Sequence, residues 1–312
     1  MYERFDCFMK KLFIILSLLI ILIGSFFISY KFHPSISISQ SQTSKSIPSD
    51  EKKTIEKPSI MKPATTYEPI KKDPVFYDIL GSSIRPKIYP DAAMTKWRND
   101  VVKLAKKYPS TLYINGQSPD KVVSLTFDDG PDPVNTPKII KVLRDNNIQG
   151  TFFCIGNQIE ACKSIIKQAY ADGNIISSHS WSHKNFTTIN AAAISNEVTL
   201  TENEIYKVIG KKPLLIRPPY GATNDAVQTS LTALNYKTIL WSIDTLDWEQ
   251  REVDNIVKNV VDNIRPGEII LMHCDGNKQN TTKALPQIIS KLKEMGYSFV
   301  TVDKLLDLSP YK

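Results

Sequence analysis

Four histidines occur in the 312 residues of this chain, and three of them, His179, His183 and His273, fall at the ends of apolar runs where other reactive groups gather. His179 and His183, spaced i, i+4 in HSWSH, would put two imidazoles on one side of a helical turn. A carboxylate from another segment would then complete a three-ligand facial set for a divalent cation. Alone, such a pair reads more readily as surface or core histidines. Asp128-Asp129 reverses that reading. Adjacent carboxylates repel, and strand alternation points them differently, so one can bind a cation while the other faces a substrate. Two His and one Asp with open positions can hold Zn²⁺ and a water, which polarises a carbonyl and supplies a nucleophile. That chemistry is hydrolytic.

The elements that must position these groups are legible as an alternation. Seven short apolar runs read as strands: 122–127, 151–156, 174–178, 214–217, 237–243, 268–273 and 298–302. Six periodic stretches lie between them. Thr136, Thr223 and Thr281 are candidate N-caps, and Gly173, Gly210 and Gly296 candidate stops. This alternation predicts parallel βα units. Seven units suit a closed or nearly closed barrel better than a doubly wound sheet, because no G-x-G-x-x-G turn follows the first strand. A barrel collects its chemistry at the C-terminal ends of its strands. Five of the runs end there in reactive groups: Asp128-Asp129, His179 with His183, Arg217 to Tyr220, Asp244 with Asp247, and His273.

In order, TFDDGPD, SHSWSH, RPPYG, WSIDTLDW and IILMH resemble the five motifs of the polysaccharide deacetylases, the carbohydrate esterases that share the NodB homology domain. The resemblance covers 121–306. It implies a distorted (β/α)7 barrel and a divalent metal, usually zinc, with Co²⁺ or Ni²⁺ compatible with the same ligands. It further implies removal of N-acetyl or O-acetyl groups from glycans. Carried onto this sequence, Asp129, His179 and His183 correspond to the metal ligands, Asp128 to the general base and His273 to the general acid. The backbone N–H of Tyr220 corresponds to an oxyanion donor. From charge, Arg217 would hold Asp128 ionised and aimed, and Asp247 would raise the pKa of His273. Trp248 and Leu271 resemble an apolar wall for the acetyl methyl, with ordinary core packing as the alternative. Asp244 reads as a loop or capping Asp, and Gly130 as a tight turn.

Before the barrel, residues 12–30 contain no charge and follow Arg4, Lys10 and Lys11. They are expected to form a transmembrane anchor, with residues 1–11 cytoplasmic and the rest of the chain outside the cell membrane as a single-pass protein. A cleaved signal segment, giving a secreted protein, is the alternative. Residues 31–74, rich in Ser, Pro and Lys, read as an extended linker. Residues 75–119 are expected to be a packing extension with one helix over 91–107, and 120–312 the catalytic domain. Of four cysteines, Cys7 would be cytoplasmic, leaving Cys154, Cys162 and Cys274 with at most one internal disulfide. Cys154 is expected as a small core hydrophobe, and Cys274 as a neighbour pointing away from His273. The net charge of +7 comes without any basic run of five, which argues against nucleic acid and fits an anionic cell-surface polymer. The resulting expectation is a monomeric deacetylase of N-acetylglucosamine in peptidoglycan. Another N-acetylglucosamine polymer, an O-acetyl xylan substrate and an inactive glycan-binding barrel are the alternatives.

Overall fold

Short runs rich in β-branched and aromatic residues form strands, and the 3.6-periodic stretches between them form helices. The computed structural model describes residues 74–83, 91–249 and 252–312. In chain order come α1 (Asp91–Lys107), β1 (Leu112–Tyr113), β2 (Val122–Gly130), α2 (Thr136–Asp145), β3 (Thr151–Cys154) and the single turn α3 (Gly156–Ile159). Then follow α4 (Lys163–Ala171), β4 (Ile175–Ser178), α5 (Ala191–Ile209), β5 (Leu215–Ile216), α6 (Asp225–Ala233) and β6 (Lys237–Ile239). The chain ends with β7 (Ile243–Asp244), α7 (Val253–Val261), β8 (Ile269–His273), α8 (Gln279–Glu294), β9 (Ser298–Phe299) and α9 (Val302–Leu306).

The strands lie in the order β1-β6-β5-β4-β3-β2-β8-β7, with β9 on the N-terminal end of β2, and the pairings are parallel. The run expected as one strand over 237–243 is two. β6 pairs with β5 and β7 with β8, at opposite flanks of the sheet, and residues 240–242 between them leave the ladder. One short segment therefore serves both flanks, and the sheet curls. The result is a curled sheet of parallel strands with helices outside, consistent with a distorted (β/α)7 barrel.

Alternation along β2 divides inside from outside. Val123, Leu125 and Phe127 join a core cluster with Ile139, Ile288 and Ile289 of α2 and α8. Ser124, Thr126 and Asp128 face the other way and are also buried. Inside the curl, Phe153, Ile239, Trp241 and Leu271 pack with Val101, Ala105 and Leu112 of α1 and β1. Helix α1 occupies the range expected from its periodicity, and its Trp97 lies against Trp241 with ring centroids 5.3 Å apart.

Several local expectations are corrected. Asn224, not Thr223, caps α6 by accepting from the Val227 N–H, and Asp132 accepts the N–H groups of Asn135 and Thr136 at the start of α2. Thr281 lies inside α8. Gly210 does close α5 in the left-handed region, φ 69°. Cys154, Cys162 and Cys274 are free and buried. The membrane location is also corrected: among the described residues no helix is long and apolar enough to cross a membrane. The segments 1–11 and 12–30, and the linker over 31–74 up to residue 73, lie outside the described residues.

Candidate active site

Strand β2 delivers two carboxylates to one rim. Asp128 continues its inward alternation, but at Asp129 the backbone turns into the left-handed region, φ 68°, and the pairing with β3 shifts register between Phe127 and Gly130. Alternation is thereby broken. Both carboxylates approach the same imidazole, with His179 Nε2 at 3.9 Å from Asp128 Oδ2 and 3.3 Å from Asp129 Oδ1. Gly130 is required for close approach more than for a turn, since a Cβ there would lie 2.5 Å from Cys274 Sγ. Cys274 itself belongs to the outer core cluster, away from His273.

The His pair does not sit on a helical turn. After β4 the chain forms an irregular loop with Ser180 at φ 69° and His183 at φ 59°. This loop brings the ring centroids to 5.0 Å and His183 Nε2 to 3.0 Å from Asp129 Oδ1. One ligand atom from each of Asp129, His179 and His183 falls within 4.8 Å of the others.

The donor set fits a cation. His179 Nδ1 lies 2.7 Å from the Arg217 carbonyl, which can only accept, so Nδ1 carries the hydrogen and Nε2 of the neutral ring presents its lone pair. That lone pair faces Asp129 Oδ1, a buried oxygen with no hydrogen-bond donor. A carboxylate oxygen and a ring nitrogen from each of two imidazoles converging on one point suit a positive charge there.

One flank of the cluster is a buried ion pair. Arg217 follows β5 with no exposed surface, and its Nη1 donates to Asp128 Oδ1 at 2.8 Å and to Thr126 Oγ1 at 2.9 Å. Its Nε and Nη2 donate to the carbonyls of Ile239 and Leu240, where the chain leaves the ladder between β6 and β7. The guanidinium centre lies 4.2 Å from the Phe153 ring centroid. Burial lowers the Arg217 pKa and Asp128 opposes that change. Four donated bonds at a buried guanidinium fix where Asp128 points.

On the neighbouring strand lies a histidine–carboxylate pair, with His273 the register partner of Asp128. His273 ends β8, and its Nδ1 lies 2.7 Å from Asp247 Oδ1 while its backbone N–H donates to Oδ2 at 2.8 Å. Thr281 Oγ1 donates to the same Oδ2 at 2.6 Å. Burial alone would discharge His273, but the Asp247 carboxylate beside it wins and the imidazole is pushed up to about 9. His273 is therefore a proton donor at neutral pH. Asp247 is held below the usual range, because the imidazolium and its donors outweigh its burial. Asp244 braces this loop, accepting from the Leu246 N–H and from Trp248 Nε1 at 3.2 Å.

Tyr220 closes the rim. It has φ 62° and 62% of its surface exposed, with its ring centroid 4.6 Å from that of His183. The next residue must be glycine, because a Cβ on Gly221 would lie 2.6 Å from the Trp241 ring and 2.7 Å from that of Trp97. Helix α1 thus supports the turn that carries Tyr220. Leu271 is on the same face of β8 as His273, two residues deeper, and packs in the inner core. Thr126 and Thr281 were not identified from the sequence as parts of the site. Thr126 could have been, as a polar residue sharing the parity of Asp128 in an apolar strand.

A carboxylate and a histidine beside a candidate cation site, on the C-terminal rim of parallel strands, suit a hydrolase of the metal-assisted kind. Comparison with known sequences narrows this. The polysaccharide deacetylase family matches residues 115–239. A peptidoglycan-N-acetylglucosamine deacetylase of Bacillus cereus is 37% identical over 208 residues, 65% of this chain and 97% of that protein. A peptidoglycan-N-acetylmuramic acid deacetylase of Bacillus subtilis is 32% identical over 207 residues, 65% of this chain and 77% of that protein. Among solved structures, a peptidoglycan N-acetylglucosamine deacetylase bound to 4-naphthalen-1-yl-N-oxidanyl-benzamide superposes with a TM-score of 0.64 at 34% identity. It covers 67% of this chain and 98% of that one. The chain belongs to the polysaccharide deacetylase family.

Proposed function

We propose that the protein removes N-acetyl groups from N-acetylglucosamine residues of peptidoglycan, releasing acetate and leaving a free amine on the glycan. The observation that carries this reading is the placing of Asp128 and His273, register partners on adjacent strands held by Arg217 and Asp247, beside the Asp129, His179 and His183 cluster. Supporting the substrate are the peptidoglycan deacetylases to which the chain is similar.

In this reading Asp129, His179 and His183 hold a divalent cation, with Zn²⁺ first and Co²⁺ or Ni²⁺ compatible. When bound, it supplies Lewis acidity for the acetyl carbonyl and makes a water easier to deprotonate. Asp128, aimed by Arg217, takes the proton of the attacking water. The Tyr220 N–H donates to the developing oxyanion. His273 gives its proton to the departing nitrogen, an acid step that an amine leaving group requires and an alkoxide needs less. Trp248 and Leu271 line the space for the acetyl methyl. The catalytic domain spans 120–312 as a distorted (β/α)7 barrel, and 75–119 is the extension that buttresses the Tyr220 turn. The test is to incubate the full chain with zinc and intact peptidoglycan, measure acetate and identify the deacetylated sugar. Free amine on N-acetylglucosamine is expected. Loss of acetyl from N-acetylmuramic acid alone, or from acetyl esters alone, would overturn the substrate assigned here.

A further inference from the structure

The left-handed backbone at Ser180 and His183 is a conformation that residues with a Cβ adopt only when their surroundings impose it. Three groups impose it here. At the start of α3, the Gly156 and Asn157 N–H groups donate to the carbonyls of Ser180 and Trp181, at 2.9 and 3.1 Å. Ser180 Oγ accepts the His183 N–H at 2.9 Å. The third is Glu197 of α5, only 2% exposed, in the same buried stripe as Ile194, Val198 and Ile205. Its Oε2 accepts the Ser182 N–H and its Oε1 the Ser182 hydroxyl, both at 2.7 Å, and Lys184 Nζ lies 3.1 Å from Oε1. Those contacts bracket His183 in the chain. A carboxylate inside an apolar stripe is retained against its desolvation only by full satisfaction of this kind.

We propose that Glu197 is a positioning residue for the metal centre, fixing the 180–184 turn so that His183 Nε2 points at Asp129. This rests on the reading that Asp129, His179 and His183 hold the cation. Glu197 does not reach the cation cluster itself. It acts through the backbone of Ser182, as outer carboxylates act on metal-ligating histidines elsewhere.

The experiment uses the full chain stripped of metal, and titrates Zn²⁺ against a competing chelator and Co²⁺ by its visible absorption. Glu197→Gln leaves one acceptor oxygen for three donors, and is expected to weaken both metals by about ten- to a hundredfold, the usual scale for losing an outer partner of a ligand. The Co²⁺ absorption should also shift in position and intensity, which a general loss of stability would not cause. Glu204→Gln is the control. Glu204 is buried on the same helix but pairs with Lys207, and its variant should bind both metals like the parent.

If Glu197→Gln does not fold, Ser182→Ala removes one of the three bonds and should weaken binding in the same direction by less. Parental affinity and Co²⁺ absorption in a folded Glu197→Gln, or in Ser182→Ala where only that variant folds, would overturn the proposal. His183→Ala separates the two readings. Metal kept by His183→Ala overturns the ligand set and this proposal with it. Metal lost by His183→Ala but kept by Glu197→Gln overturns the positioning role alone.

Discussion

Replacing Asp247 by Asn tests the acid side of the site with almost no change of volume. Asp247 accepts from His273 Nδ1, His273 N–H and Thr281 Oγ1, and Asn retains one acceptor oxygen and no charge. The distance from the ordinary imidazole value of 6.5 to about 9 in the folded protein corresponds to about 3 kcal/mol of preference for the imidazolium. Burial, the largest influence and an opposing one, remains in the variant. His273 in Asp247→Asn should therefore titrate below the parent, with only the Asp129 and Asp128 carboxylates left to oppose burial. At pH 7.5 the fraction carrying a proton should fall from nearly all. The assay is the pH dependence of kcat/KM on an N-acetylated glycan, alongside an NMR titration of His273 in metal-free protein. The parent should lose activity as pH rises through about 9, and the variant at a lower pH. Stability should follow. A histidine whose folded pKa is raised contributes stability that is complete below its unfolded value and disappears as pH rises through the folded one. The Tm gap between parent and variant should thus be widest near pH 6 and narrow above pH 9. An alkaline limb that stays in place in Asp247→Asn refutes the reasoning.

Three further outcomes follow from the same geometry. His179→Ala and His183→Ala should each lose the metal yet keep the parental far-UV circular dichroism, because both rings belong to a rim loop; stoichiometric metal in either variant would refute the ligand set. Asp128→Asn should keep near-parental zinc while deacetylation falls by at least about a hundredfold, whereas Asp129→Ala should lose the zinc; the opposite pattern would exchange the roles of base and ligand. Arg217→Met leaves Asp128 and the Ile239 and Leu240 carbonyls without their buried donor, and should lower stability by about 3–5 kcal/mol in denaturant unfolding. A loss below about 1 kcal/mol would mean that water reaches these groups.

The parallel alternation and the reactive strand ends could be read from the chain because both obey short periods. Apolar runs mark strands, and the residue that ends each run inherits a fixed direction. What escaped that reading depends on backbone states that no period encodes. The i, i+4 spacing of HSWSH mimics a helix, but Ser180 and His183 are left-handed, and the imidazoles meet across a loop instead. Asp128 and Asp129 converge because a register shift cancels alternation at one residue. The break between β6 and β7 was hidden within an uninterrupted apolar run, because curvature is a property of the whole sheet. Glu197 announced itself only as a charge in a buried stripe, and Thr281 looked like a cap until the fold brought it to Asp247.

The buried pairing of Arg217 with Asp128 makes the parts of the site unequal under inheritance. Asp128 and Arg217 have side chains 4% and 0% exposed and are fastened to each other and to the seam of the sheet, while His183 is 25% exposed. A descendant lineage released from selection for activity could discard His183 or the ring of Tyr220 at little expense to folding. Dropping Asp128 would strand a buried guanidinium and endanger the whole domain. Decay of the enzyme would therefore begin at the exposed His183, and its inert descendants would go on carrying Asp128 and Arg217 as structural relics.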